Sequence, residues 1–226
     1  MQEKPMKVPG LAKIIGLAAG SDHMLALDQN GKVYTWGSGG QSQLARKSIT
    51  RRGGPKASLN PAVCARFTKA RHAVKIAAGA YTGFYVDNRG KLWSWGLNNY
   101  SQTGHSDLAG KTNAVIAVPS VVRELQEYDI THVDGGAHHS LACSSKGDLF
   151  TFGRVDGHQV GLKEESFTED NTVFDENGKP RILKVPTVVP GKHIFVPLLS
   201  PSPAYLLLEY TNSAFCRHQG VLCRVE

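Results

Sequence analysis

The chain has 226 residues, a formal net charge of +7 and 41% hydrophobic residues, enough apolar material for a buried core. No apolar run reaches the roughly 20 residues of a membrane-spanning helix: the nearest stretch, 194 to 210, is broken by Pro197, Pro201 and Pro203, and the opening Met1-Gln2-Glu3-Lys4 lacks the apolar region of a secretion signal. Cys64, Cys143, Cys216 and Cys223 have neither the paired spacing of a zinc site nor the density of a disulfide scaffold, which favours a reduced, intracellular setting.

One block of about two dozen residues occurs three times: Ile14 to Gly37 (IIGLAAGSDHMLALDQNGKVYTWG), Val74 to Gly96 (VKIAAGAYTGFYVDNRGKLWSWG) and Ile130 to Gly153 (ITHVDGGAHHSLACSSKGDLFTFG). Gly20, Gly79 and Gly136 lie 59 and then 57 positions apart, and Gly31, Gly90 and Gly147 repeat that spacing. In the first copy a β-prone run, Ile14 to Ala18, ends at a small-residue step containing Gly20, and a second strand follows at Met24 to Leu27. The turn Asp28-Gln29-Asn30-Gly31 places glycine where a hairpin needs positive φ. The strand leaving it, Val33-Tyr34-Thr35-Trp36, alternates, so one aromatic per copy points to a shared interior.

The next segment, 46 to 71, holds Arg46, Lys47, Arg51, Arg52, Lys56, Arg66, Lys69 and Arg71 without an acidic residue. It is a candidate polyanion contact, or else a solvated loop between repeats. Pro61-Ala62-Val63 offers a fourth strand to the first copy, and Pro119-Ser120-Val121-Val122 does so for the second. Four antiparallel strands per repeat predict propeller blades, and hence an all-β fold of about three blades plus the start of another. After the third copy, 154 to 184 carries Glu164, Glu165, Glu169, Asp170, Asp175 and Glu176 and is expected to be an exposed acidic loop.

After each step glycine, Asp22, Tyr81 and His138 differ from one another while their surroundings hardly vary. A propeller would display these three side chains around one rim, where variation on a fixed frame suggests recognition. Asp22 has an alternative role as a loop cap that accepts backbone N–H groups. His23 and His139, at the following repeat position, are expected to be framework residues bonded to backbone. The segment 104 to 112 (GHSDLAGKT) does not meet the G-x-x-x-x-G-K-S/T spacing of a phosphate loop. The nine histidines never pair with cysteines or carboxylates at metal spacing, and no serine occupies a nucleophile elbow. No cofactor, metal or covalent chemistry is expected.

Gly-Ser-Asp-His-x-Leu-Ala-Leu followed by Gly-Lys-Val-Tyr-Thr-Trp-Gly resembles the repeat of the regulator of chromosome condensation family, seven-bladed propellers that catalyse nucleotide exchange on the GTPase Ran. Gly37-Ser-Gly-Gly-Gln-Ser-Gln-Leu44 with Arg46, Gly96-Leu-Asn-Asn-Tyr100, and Gly135-Gly-Ala-His-His-Ser140 with Gly153-Arg154 are similar, in order, to later blades of fungal forms, over residues 5 to 191. The resemblance implies a nuclear, chromatin-associated protein whose partners are Ran and, on the nucleosome, histones and DNA, with Arg51, Arg52 and Lys56 of the basic segment as the candidate chromatin contacts. It implies Ran contacts at Asp22, Arg46 and His138, whereas a family histidine after the Asn-Tyr pair is replaced by Ser101. The alternative implied by the same repeat is a propeller-type scaffold without exchange activity.

Residues 184 to 191 (KVPTVVPG) resemble the opening strand of another blade, so 1–191 is expected to form the blades. From Lys192 to Glu226 the family pattern stops: no glycine step, no Trp-Gly ending and no hairpin turn is legible. Because Gly191-Lys192 is compatible with a GTAAG intron donor, a translated intron is the favoured explanation, with a lineage-specific tail as the other. Upstream blades, including the β-hairpin wedge that family members insert near the nucleotide, are also expected to be missing, which predicts weak exchange by this chain alone.

Overall fold

In a computed structural model the structure describes residues 4–46, 56–191, 193–197, 216–218 and 221–225. The first repeat folds as β1 (Ile14–Ala19), β2 (His23–Asp28) and β3 (Val33–Gly37), and after a short helix α1 (Lys56–Leu59) the sheet is completed by β4 (Ala62–Val63). The second repeat gives β5 (Ala73–Ala78), β6 (Thr82–Asp87), β7 (Leu92–Leu97) and β8 (Val115–Val121). Each is a four-stranded antiparallel sheet whose strands lie in chain order.

The third repeat gives β9 (Ile130–Gly135), β10 (His139–Ser144) and β11 (Leu149–Arg154), followed by β12 (Thr172–Phe174) and β13 (Pro180–Val188). Its order is β12-β13-β11-β10-β9, a five-stranded sheet. Two expectations change here. The segment expected to open another blade instead closes this one, because β13 pairs with β11 through Phe150↔Val188 and Thr151↔Thr187. The acidic stretch is not a loop throughout, since β12 pairs with β13 and widens the sheet; all six of its named carboxylates are exposed.

Beyond it, β14 (His193–Pro197), β15 (Cys216–His218) and β16 (Val221–Val225) form a separate sheet in the order β14-β16-β15. The absence of a hairpin in this region is also corrected: β15 and β16 pair antiparallel through His218↔Val221, with two residues between them in sequence. The alternation Cys216, Arg217, His218 and Val221, Leu222, Cys223 carries no glycine step and no Trp-Gly, which is why the repeat template passed over it.

The hairpins form as the turn residues require. Gly31, Gly90 and Gly147 take φ of 74°, 72° and 89°, a region in which a Cβ would be strained. Asp28 Oδ1 accepts from the Asn30 and Lys32 amides, Asp87 Oδ1 from Arg89 and Lys91, and Ser144 Oγ from Lys146 and Asp148. Side chains thereby satisfy backbone donors that the tight turn leaves over.

Strands β1, β5 and β9 of successive sheets adjoin one another, as inner strands do around a propeller axis. One core joins the first two sheets, with Leu25, Leu27 and Val33 opposite Tyr85 and Trp95; a second joins the next two, with Phe84, Val86 and Leu92 opposite Phe150 and Phe152. Equivalent positions reveal what each face meets. Trp95 and Phe152 are fully buried against the preceding sheet, and Ile76 and Val133 pack on the same cores. Their first-repeat counterparts, Trp36 and Leu17, are half-buried and 66% exposed respectively.

The two tryptophans at one repeat position should therefore differ in stability cost. Trp95→Ala is expected to lower unfolding free energy by about 3–5 kcal/mol and Trp36→Ala by less than about half of that. Urea midpoints measured for both variants check this; equal losses would contradict it.

Candidate functional site: a rim of equivalent loops

The loop between the first two strands of each repeat is a tight turn. Gly20 N donates to His23 O (2.9 Å), Gly79 N to Thr82 O (3.0 Å) and Gly136 N to His139 O (2.8 Å). Successive turns are joined across the blades, Ser21 N donating to Ala80 O (3.1 Å) and Ala80 N to Gly136 O (3.0 Å). Asp22, Tyr81 and His138 follow directly, so they occupy equivalent corners of one rim.

A second loop per blade reaches the same rim. Ser38 N, Leu97 N and Arg154 N donate to the carbonyls of Asp22 (2.7 Å), Tyr81 (3.0 Å) and His138 (2.8 Å). Each of these loops is braced by a glutamine: Gln43 Oε1 accepts from Gln41 N, Gln102 Oε1 from Tyr100 N and Gln159 Oε1 from Gly157 N. The residue between, Ser42, Ser101 or His158, is left-handed with φ of 60°, 55° and 57°. On that fixed frame the variable positions are Gln41, Tyr100 and Gly157.

Asp22 is exposed, and its carboxylate makes no hydrogen bond or ion pair among the described residues; a capping bond from its side chain is not among the contacts of the loop. Tyr81 stacks on His138, with centroids 6.5 Å apart and planes at 20°. Tyr100 lies on His138 as well, at 5.1 Å. The guanidinium carbons of Arg154 and Arg181 stand 5.2 Å and 5.9 Å from the Tyr100 ring centroid, within cation–π range. Arg154 is fixed by a forked pair with Asp156, Nε to Oδ1 at 2.7 Å and Nη2 to Oδ2 at 2.7 Å, the geometry that gives guanidinium–carboxylate pairs their directionality.

These contacts set the charge states. Burial, then the neighbouring Arg154 cation, holds the His138 imidazole below its usual pKa, with Asp156 opposing. The hydrogen bonds from Arg154 push the Asp156 carboxyl down. His138 Nδ1 is buried and has no hydrogen-bond partner among the described residues. The site is thus a neutral imidazole in an aromatic bracket, edged by a bound ion pair.

Arg46 takes a different position. It is half-buried, and its Nη2 donates to Thr35 O (3.1 Å) and Asn60 O (2.9 Å), tying β3 to the segment before β4. Arg51 and Arg52 lie outside the described residues, and Lys56 opens α1. Farther along, Arg66 and Lys69 are exposed and Arg71 covers the Trp93 ring at 4.8 Å. His23 is buried with Nε2 3.3 Å from Thr82 O of the next blade, and burial holds its pKa down; it is a framework residue. Among the described residues no three His, Cys, Asp or Glu side chains cluster as a metal site.

Sequence analysis missed the second loop's contribution: Tyr100, Arg154 and Asp156. A signal existed in the repeated Gly-x-x-x-x-x-Gln spacing (Gly37 to Gln43, Gly96 to Gln102, Gly153 to Gln159), on which the intervening residues vary. Arg181 lies outside the repeat and only the fold brings it in.

The bracket predicts how His138 titrates. Tyr100→Ala exposes the ring, and Arg154→Ala removes a cation and frees the Asp156 anion, so each variant should move the His138 pKa upward towards about 6.5. Because the folded pKa is depressed, the wild-type chain loses stability from this group as pH falls below that unfolded value. Imidazole proton shifts followed by NMR against pH check both statements; an unchanged or lowered pKa in the variants would contradict them.

The chain matches the Regulator of chromosome condensation (RCC1) repeat over residues 30–86 and 89–143, and a second description of that repeat over 14–43 and 73–102. It is 38% identical over 181 residues to Protein pim1 of Schizosaccharomyces pombe, covering 80% of this chain and 32% of that protein. It is 37% identical over 189 residues to Guanine nucleotide exchange factor SRM1 of Saccharomyces cerevisiae, covering 83% and 38%. The solved structure of Prp20p from Saccharomyces cerevisiae, a protein described with binding properties to Gsp1p and histones, superposes with a TM-score of 0.75 at 36% identity, over 86% of this chain and 43% of that one. The chain therefore spans about a third of the length of these curated relatives, 32% and 38%.

Proposed function

The chain belongs to the family of proteins built from regulator of chromosome condensation repeats, and from that premise we propose that it is part of a guanine-nucleotide exchange factor for a Ran-type GTPase, nuclear and in contact with chromatin. The observation that carries this reading is the rim itself: unlike side chains, Asp22, Tyr81 and His138, on hydrogen-bonded loops that are otherwise alike. The similar SRM1 protein is named a guanine nucleotide exchange factor, which supports assigning that rim to a G protein.

Exchange needs no bond-breaking group. A factor that binds the empty GTPase more tightly than the loaded one weakens nucleotide binding by the same ratio, by linkage. Asp22, an exposed carboxylate without an internal partner, is suited to hold a cationic group that departing phosphates leave uncompensated. The Tyr81, His138 and Tyr100 rings offer a preorganised, weakly charged contact surface at little entropic cost. Arg46 serves in this reading by fixing the first blade's insertion to β3. That insertion, with Arg51, Arg52 and Lys56, is the part assigned to the DNA of the nucleosome.

The test is capture of purified Ran by the immobilised 226-residue chain. Nucleotide-free Ran should be retained in preference to GDP-bound Ran, and Asp22→Ala or His138→Ala should each weaken that retention on the order of tenfold. Equal retention of the two forms would replace this reading with a propeller-type scaffold that has no exchange role.

A further inference from the structure

Outward from the Tyr100 ring the rim opens into a notch of about 260 Å³. Its lining includes Asn99 and Tyr100 from the loop after β7, Lys111, Thr112 and Asn113 from the turn leading to β8, and Arg181 from β13. None of its lining residues is acidic. The side chains of Lys111 and Arg181 have no hydrogen-bond or ion-pair partner among the described residues. Asp156, the carboxylate that acts on Arg181, is already held in a fork by Arg154.

The notch is built before any ligand arrives. Gly110 N donates to Asn99 O at 2.9 Å, Ala114 N to Lys111 O at 3.4 Å and Asn98 N to Ala114 O at 2.7 Å, so the turn is tied to the Tyr100 loop. Gly110 and Asn113 are left-handed, with φ of 77° and 59°, and Tyr100 is fixed by its His138 and Arg154 contacts. Two cations without an ion-pair partner among the described residues, with amide and hydroxyl groups beside them, suit a planar anion, which can accept from several donors at once.

We propose that this notch receives an acidic side chain of the GTPase that docks on the rim, and that Lys111 and Arg181 are residues determining specificity for that partner; the inference rests on the exchange-factor reading. Its size fits one side chain. A nucleic-acid backbone would call for a continued row of cations, whereas the surface next to Arg181 carries Asp156, which would repel a second phosphate.

The experiment measures the Kd of the 226-residue chain for nucleotide-free Ran, and separately for a short DNA duplex, across a range of NaCl concentrations. The Lys111→Ala/Arg181→Ala double variant should bind Ran about tenfold more weakly at low salt, with the difference shrinking as salt rises. Lys111→Glu should be worse than Lys111→Ala, and Lys146→Ala, at an exposed position in the hairpin turn at the opposite end of the third sheet, should match the wild type. Thermal unfolding midpoints should coincide for all variants. Wild-type binding that the double variant retains within about twofold overturns the proposal, as does a loss confined to DNA or one that is independent of salt and accompanied by a lowered midpoint. A wild-type chain that does not bind Ran at all removes the exchange-factor reading, and the notch assignment with it.

Discussion

Everything that the rim does depends on how closely three backbones approach at Gly20, Gly79 and Gly136. A Cβ on Gly20 would lie 2.6 Å from the Gly79 carbonyl oxygen, and one on Gly79 would lie 2.8 Å from that of Gly136. Neither separation occurs between real atoms, and behind the nearer His23 ring and Thr82 hydroxyl the obstruction is backbone that cannot swing away. Absence of a side chain is therefore what allows Ser21 N to reach Ala80 O and Ala80 N to reach Gly136 O. Those two bonds set the spacing of neighbouring corners, and the side chains at the corners inherit it.

The opposite ends of the sheets are joined by the same kind of bond, backbone to backbone, at other glycines. Gly31 O accepts from Ala73 N at 2.9 Å and Gly90 O from Ile130 N at 2.8 Å, so each hairpin turn is bonded to the first strand of the following blade. Between the two ends the apolar faces close on Trp95 and Phe152. Hydrophobic burial holds adjacent sheets together without fixing direction; the hydrogen bonds at both ends add direction and remove the freedom to slide. A rigid scaffold with variable corners separates recognition from stability: His138 or Tyr100 can change with little consequence for the cores, whereas Gly79 cannot.

Much of this was legible in the primary structure because each blade is a local unit. Strand alternation, Asx-type turns at Asp28 and Asp87 and positive-φ glycines act over a few residues, so a periodic pattern reveals them three times. The strand that joins β11 in the third blade is not legible in the sequence, because Lys184 to Gly191 lies far from β11 along the chain and no local feature says which sheet it joins. The site was half legible. Asp22, Tyr81 and His138 stand out as variation at one offset, but the contact of Arg154 and Arg181 with one Tyr100 ring arises between blades and from outside the repeat. Arg46 differs from these: the family resemblance implies a partner contact there, and the fold commits part of its guanidinium to two carbonyls.

Hydrogen–deuterium exchange of the chain with and without nucleotide-free Ran tests the central claim most directly, since it reads both ends of every blade in one experiment. Amides at 20–22, 79–81 and 136–138, together with 97–102, should gain protection on binding, while the hairpin turns at 28–31, 87–90 and 144–147 should not. Protection concentrated on the hairpin turns, or spread equally over both ends, would contradict a docking surface made of the glycine-step corners.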